Sequence, residues 1–317
     1  MVETESAINR PRGAPTSFTS ASLHQLQVRH FFLFDLFPLL GTVAAFILIP
    51  WAPPNAADVA CLAVLWLVTG LGLTVGFHRY FSHGAFSTSR PVSIALLIAG
   101  SMAARGPMIS WAAMHRLHHQ NSDHEGDLHS PNLHGPGFIG RMRGFLHAHL
   151  TWMMRHDYPN VMYYVPDLMA QKDLVRCNRL YYSWVALGLA VPTLVGAACT
   201  FNLTGALIGF LWGGAVRIFL VEHAMSAINS LCHLFGSRPY KTRDDRSGNI
   251  PLLGPLTWGE AWHNNHHAFP HSAAFGLRWY ELDPGYWFVC LLQALGLVWD
   301  VKRPAAKLVA ERRFVSE

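Results

Sequence analysis

VACLAVLWLVTGLGLTVGF, residues 59–77, runs without a break into HRYFSH, residues 78–83. The first part is free of charge and close to the roughly 20 residues an α-helix needs to cross the hydrocarbon of a bilayer. The second part supplies a histidine pair where such a helix would emerge. Three more stretches have the same character. Leu36 to Trp51 is apolar with Asp35 at its edge, Tyr181 to Phe201 tolerates Pro192, and Leu203 to Val221 carries only Arg217. One such run could be a buried soluble helix; four cannot. Composition agrees: 14% of the 317 residues are charged, where a soluble domain carries about 25%. Hydrophobic types reach 51%, so this is no disordered chain. Two shorter runs, Ile94 to Ala104 and Tyr286 to Trp299, fall short of a span and read as interfacial or core helices.

The four runs form two hairpins. Residues 52–58, with Pro53 and Pro54, turn the first pair, and Phe201-Asn-Leu203 turns the second. Neither connector holds Lys or Arg. Of the 24 basic residues, all but Arg217 lie before, between or after the hairpins. The positive-inside rule therefore places the N-terminal segment, the middle segment and the C-terminal segment on the cytoplasmic face. The net charge of +5 is a topology signal, and no RNA- or DNA-binding signature accompanies it. The expected fold class is an all-α membrane protein, multi-pass, with both termini cytoplasmic. Four transmembrane helices in two hairpins would carry a cytosolic helical cap. Residues 1–30, polar and rich in Ser, Thr and Pro, read as a disordered cytosolic tail. Residues 31–300 form the integral-membrane domain and residues 301–317 a basic cytosolic C-terminal tail. The five cysteines (Cys61, Cys177, Cys199, Cys232, Cys290) have no CxxC pair and read as buried reduced thiols.

Histidine is as frequent as Asp and Glu combined, 19 of each. Besides His78 and His83, two triplets stand out: His115-Arg-Leu-His118-His119 and His263-Asn-Asn-His266-His267. At about 100° per residue, positions i, i+3 and i+4 share a helical face, so each triplet should point one way. His78 and His83, roughly 140° apart on an α-helix, should straddle a helix end. Burying eight imidazoles without compensation is costly. Metal ligation compensates, since neutral imidazole binds Fe, Cu, Zn or Ni. Eight ligands exceed one ion's capacity, so two ions follow. His24, His30 and His223 lack patterned neighbours and read as ordinary residues. His124-Glu-Gly-Asp-Leu-His129 is one residue too long for a zinc-protease HExxH helix. Asp123, Asp127, Glu260 and Asp283 are candidate partners for the outer imidazole N–H groups.

In order, HRYFSH, WAAMHRLHH with SDHEGDLHSP, NSLCHLFG and GEAWHNNHHAFPHSAAFGLRWYELD resemble the membrane fatty-acid desaturases. The branch they are most similar to is the stearoyl-CoA-type Δ9 desaturases and their bacterial relatives. The resemblance covers Leu36 to Gly296. It implies a ninth ligand, His233, and a water-mediated one, Asn229, around a centre of two Fe ions. The implied reaction is O2-dependent desaturation of a long-chain saturated fatty acyl group, C16 or C18, giving a cis double bond at Δ9. The chain has no haem or flavin module and no GxGxxG after a strand. Electrons would therefore come from a separate ferredoxin, rubredoxin or cytochrome b5-like carrier with its NAD(P)H reductase.

The resemblance also implies Trp111, Arg155 and His156 as substrate-binding residues. One departure matters. Animal members carry Arg-Asp before the second histidine box, against the CoA head, where this chain has Ala113-Met114. The carrier is thereby left open between CoA, acyl-carrier protein and lipid. Two other readings fit the residues: a histidine-box membrane hydroxylase of alkane, sterol or carotenoid type, and a non-catalytic metal or haem electron-transfer membrane protein. The NSxxHxxG and GLRWYE contexts favour the desaturase. Ligands lying beyond the spans argue against an intramembrane haem pair.

Overall fold

The computed structural model describes residues 15–243 and 245–314. Four of its helices are long and apolar enough to cross a membrane: Ala21–Leu48, Ala56–Ser82, Tyr181–Thr200 and Leu203–Leu234. Local chemistry sets their starts. Ser20 caps the first, accepting from the Leu23 N–H at 3.1 Å. Asn55 and Asp58 form a reciprocal capping box at the second. Asn202 caps the fourth, accepting from the Gly205 N–H at 2.8 Å. Between the third and fourth, Phe201 takes a left-handed conformation and reverses the chain at once.

Three of the four helices overrun the apolar stretches read from sequence. The first begins at Ala21, so residues 21–30 are not a disordered tail as expected. The Gln27 amide donates to the His156 carbonyl at 2.7 Å, and Ser17–Phe18 pairs antiparallel with Tyr158–Pro159. Tertiary contacts, invisible to local composition, order this segment; residues 1–14 of the expected tail lie outside the described residues. The second helix runs on to Ser82 and the fourth to Leu234, each carrying a histidine beyond its apolar run. The expected C-terminal tail is likewise docked over residues 301–314, and residues 315–317 lie outside the described residues. Ala306–Arg312 is helical, and the Lys302 N–H donates to the Ala85 carbonyl at 2.9 Å.

Glycine allows the third and fourth helices to touch backbone to backbone. A Cβ at Gly196 or Gly209 would overlap the carbonyl oxygen of Gly205 or Pro192, the small-residue contact that holds helices together in lipid. Arg217, the one charge in the fourth apolar run, is fully buried. It spends its donors on the carbonyls of Gly213 (2.8 Å), Met102 (2.8 Å) and Gly188 (3.3 Å). The cost of a charge at membrane depth is met by backbone acceptors.

The cap consists of helices Arg90–Ser101, Met108–Asn121, Gly137–His149, Lys172–Arg179, His263–Ala268 and Pro284–Ala294. Both short apolar runs belong here: Arg90–Ser101 is a core helix, and after Pro284–Ala294 the chain pairs Val298–Trp299 with Ser87–Thr88. The main core joins Leu73, Phe77, Leu97, Met108, Leu117, Leu174 and Trp258, so the second span and the cap share one hydrophobic core. All five cysteines are free; Cys177 and Cys232 are buried, and Cys199 is exposed at the end of the third span, contrary to expectation.

Candidate metal centre

From Gly72 to Ser82 the second span is π-helical, a widened geometry frequent at functional sites. The His83 N–H closes its last turn on the His78 carbonyl at 3.2 Å. A bond from i+5 to i brings the sixth residue back over the first. The two rings lie 5.0 Å apart, so the pair shares one site although α-helical angles set it apart.

The nine histidines singled out from sequence assemble into two groups. His78, His83, His115, His119 and His266 form one; His118, His233, His263 and His267 form the other. Within each group one ring nitrogen from each histidine lies within 4.8 Å of those of the others. The triplets do not each point one way, as expected, but divide between the groups. His115 and His119 enter the first and His118 the second; His263 and His267 enter the second and His266 the first. Two groups on opposite sides of a helix edge split i+3 from i and i+4, so each triplet bridges both. His129 also lies within reach of His118 and Asp127, a position the rejected HExxH pattern had hidden. Residues 124–129 form turns rather than a helix.

A second layer of acids fixes the rings. His78 Nδ1 meets Glu260, His118 Nδ1 meets Asp127 at 2.9 Å, and His233 Nδ1 meets Asp123 at 2.9 Å. Asp245, which no sequence signal singled out, lies 3.4 Å from His267 Nδ1. Asp283 does not join this layer. It accepts from buried Arg79 at 2.8 Å and from the N–H groups of Phe275 and Tyr286, thereby bracing the loop beside the third box. Burial alone would raise the carboxyls of Asp123 and Asp127. The facing His233 and His118 imidazoles more than reverse this and hold both acids well below the usual carboxylate range.

Burial, reinforced by neighbouring imidazoles, pushes His83, His115, His119, His263 and His266 well below their ordinary value. His267 falls to about 4 from the same burial, partly opposed by Asp245. These six rings are therefore held in the neutral form. An imidazole that gives Nδ1–H to a carboxylate presents a bare lone pair at Nε2. Such lone pairs converge here: His78 Nε2 lies 3.0 Å from His266 Nε2, and His233 Nε2 lies 2.9 Å from His263 Nε2. His118 Nε2 is buried with no hydrogen-bond partner. Each group is thus a convergent nitrogen donor set that a transition-metal cation satisfies.

Asn229 lies one turn before His233 on the same helix and is half-buried. Trp111 stacks on His115 at 5.1 Å and meets His78 edge-on at 5.9 Å, so it walls the first group. Arg155 is exposed. His156 is half-buried and packs between Trp152 and Tyr158. Ala113 is fully buried in the core.

The model of the fatty acid desaturase family matches residues 53–289. The chain belongs to the fatty acid desaturases. This desaturase is 46% identical over 91% of its length, and 90% of the relative's, to a hex-5-enoyl-(acyl-carrier protein) acetylenase of Moorena producens (strain JHB). It is 34% identical to an sn-1 stearoyl-lipid 9-desaturase of Anabaena variabilis, covering 85% of this chain and 92% of that one. A delta-9 acyl-lipid desaturase 1 of Arabidopsis thaliana is 33% identical over 76% of this chain and 74% of its own. The desaturase is therefore an oxidoreductase whose substrate is a fatty acyl chain in a lipid setting, with histidine groups able to bind metal. The haem electron-transfer reading falls with this assignment.

Proposed function

We propose that this desaturase removes two hydrogens from a saturated C16 or C18 acyl chain near Δ9, leaving a cis double bond, at two irons. The observation that carries the reading is the pair of convergent imidazole groups. The first would be held by His78, His83, His115, His119 and His266; the second by His118, His233, His263 and His267, with Asn229 through a water. Breaking unactivated C–H bonds is beyond any side chain, and iron with O2 supplies that redox chemistry. In balance, the alkyl chain gives up two hydrogens, a donor gives two electrons, two protons enter, and O2 leaves as two waters. Glu260, Asp123, Asp127 and Asp245 hold the imidazoles in register, and Trp111 closes the first group against water. The donor would be a separate one-electron carrier, and the cap would face the cytoplasm with both termini.

For the acyl carrier we favour acyl-carrier protein or lipid over CoA. Ala113 and Met114 offer no charge to a phosphate-ribose head, and the relatives named above act on carrier-protein or lipid substrates. A second reading is carried by the 46% identity to an acetylenase: the same dehydrogenation applied to an existing double bond gives a triple bond. Expression in a desaturase-deficient host, followed by mapping of double and triple bonds in total lipid, tests both. Hydroxylated products without new unsaturation would point to the hydroxylase alternative and overturn the proposal.

A further inference from the structure

A cleft of ≈ 450 Å³ opens beside the end of the fourth long helix, lined among others by Asn132, Arg141, His233, Phe235, Arg238 and Arg246. The three arginines are exposed, as is Phe235, over whose ring the Arg141 guanidinium sits at 5.4 Å. In the segment from 238 to 246, Arg238, Lys241, Arg243 and Arg246 outnumber Asp244 and Asp245, and Asp245 is turned inward to His267.

The floor of this cleft is a hydrogen-bonded bridge to the second imidazole group. The Arg246 backbone N–H donates to Asp123 Oδ2 at 2.7 Å, and the same oxygen meets His233 Nδ1 at 2.9 Å. Asn132 braces the bridge, donating to Asp123 Oδ1 at 2.7 Å and to the His233 carbonyl at 3.0 Å. Two hydrogen bonds therefore separate the surface from an imidazole whose ring is itself fully buried.

We infer that this arginine-rimmed cleft is the docking site of an acidic one-electron carrier, whose electrons enter through Arg246, Asp123 and His233. The inference rests on the desaturase reading above. Charge complementarity selects an acidic partner, and exposed Phe235 under the Arg141 guanidinium gives the aromatic and cationic contact that anchors protein interfaces. Acyl-carrier protein is also acidic, but its cargo must thread an open apolar path to the metals. The bridge of Asn132, Asp123 and His233 closes this cleft to an alkyl chain while leaving it passable to an electron. In each docking event the carrier is oxidised by one electron and the centre reduced by one; two events supply the two electrons of the balance above.

The test uses the full chain in phosphatidylcholine nanodiscs, with a two-iron, two-sulfur ferredoxin and octadecanoyl-acyl-carrier protein as separate probes. Ferredoxin should bind and weaken as salt is raised. The double variant Arg141→Glu/Arg246→Glu should bind it about tenfold more weakly or worse at low ionic strength, with octadecanoyl-carrier affinity unchanged. Arg141 and Arg246 side chains are exposed, so iron content and thermal unfolding should match the parent and exclude misfolding. Absence of salt-sensitive ferredoxin binding, an unchanged affinity in the variant, or a parallel loss of the acyl carrier would overturn the inference. Absence of desaturated product, by contrast, would count against the reaction while leaving the binding result to stand alone.

Discussion

Glu260 grips His78 at Nδ1 while accepting the hydroxyl of Thr74, one turn earlier on the helix that carries His78. A carboxylate from the third-box loop thus fixes the ring of the first box in both rotation and tautomer. Glu260→Gln should lower metal affinity or activity about 10- to 100-fold, as is usual for a carboxylate behind a ligating imidazole. Iron per chain after dialysis against a weak chelator measures it. Thr74→Val should be milder, because Glu260 keeps its imidazole partner.

Asp245 is the member of this outer layer that the sequence hides, and it makes a sharp comparison. Asp245→Asn removes the charge facing His267 but keeps Ser247 as a neighbour. We expect iron loss from the four-histidine group with the five-histidine group still loaded, so iron per chain should fall toward one. Full retention of two irons would mean that Asp245 only shapes its loop.

Replacing any one of His78, His83, His115, His118, His119, His233, His263, His266 or His267 by Ala should abolish desaturation while the chain still inserts into the membrane. Two irons per chain are expected in the unaltered protein. Stripping them should lower the thermal midpoint, because converging Nε2 lone pairs then face one another without a cation. A single Ala variant with full activity would remove that residue from the ligand set.

Arg79 and Asp283 are both buried, with the guanidinium also over the Phe275 ring at 4.1 Å. Removing one partner strands the other charge, at a cost of about 3 to 5 kcal/mol. Arg79→Met should therefore unfold at markedly lower temperature, and Asp283→Asn added to it should recover part of the loss. A double variant no more stable than Arg79→Met would mean that packing, not charge, dominates.

Topology can be read directly. Labels near Ser17, Arg141 and Lys307 should report the cytoplasmic side, and a label at Ala56 the opposite side. Disagreement at any one position would break the arrangement of two hairpins.

The spans were legible because lipid demands length and apolarity, which composition records without tertiary context. Whereas His233, alone in its segment, came only through the family resemblance, eight of the histidines were legible because ligand chemistry leaves a dense pattern in a chain otherwise poor in polar residues. Their division was not. The α-helical angles grouped each triplet on one face, and only the positions of neighbouring helices decide that His118 and His266 turn to the other group. The π-helical turn at His78 was hidden because local sequence does not announce i to i+5 bonding. Asp245 escaped notice because a carboxylate outside the motifs looks like any loop residue. Residues 21–30 misled for a similar reason: their order comes from Gln27 meeting a carbonyl more than a hundred residues away.

The unbroken passage of the second and fourth helices from apolar span to His78 and His233 means that the molecule has no detachable catalytic half. A fragment built from the cap alone would lack His78 from the first group and His233 from the second, so both groups would be incomplete. Chimeras that graft one relative's cap on another's membrane anchor face the same obstacle, since the anchor itself contributes His78 to one group and His233 to the other. Attempts to re-engineer selectivity will have to move whole hairpins together with the loops that meet them.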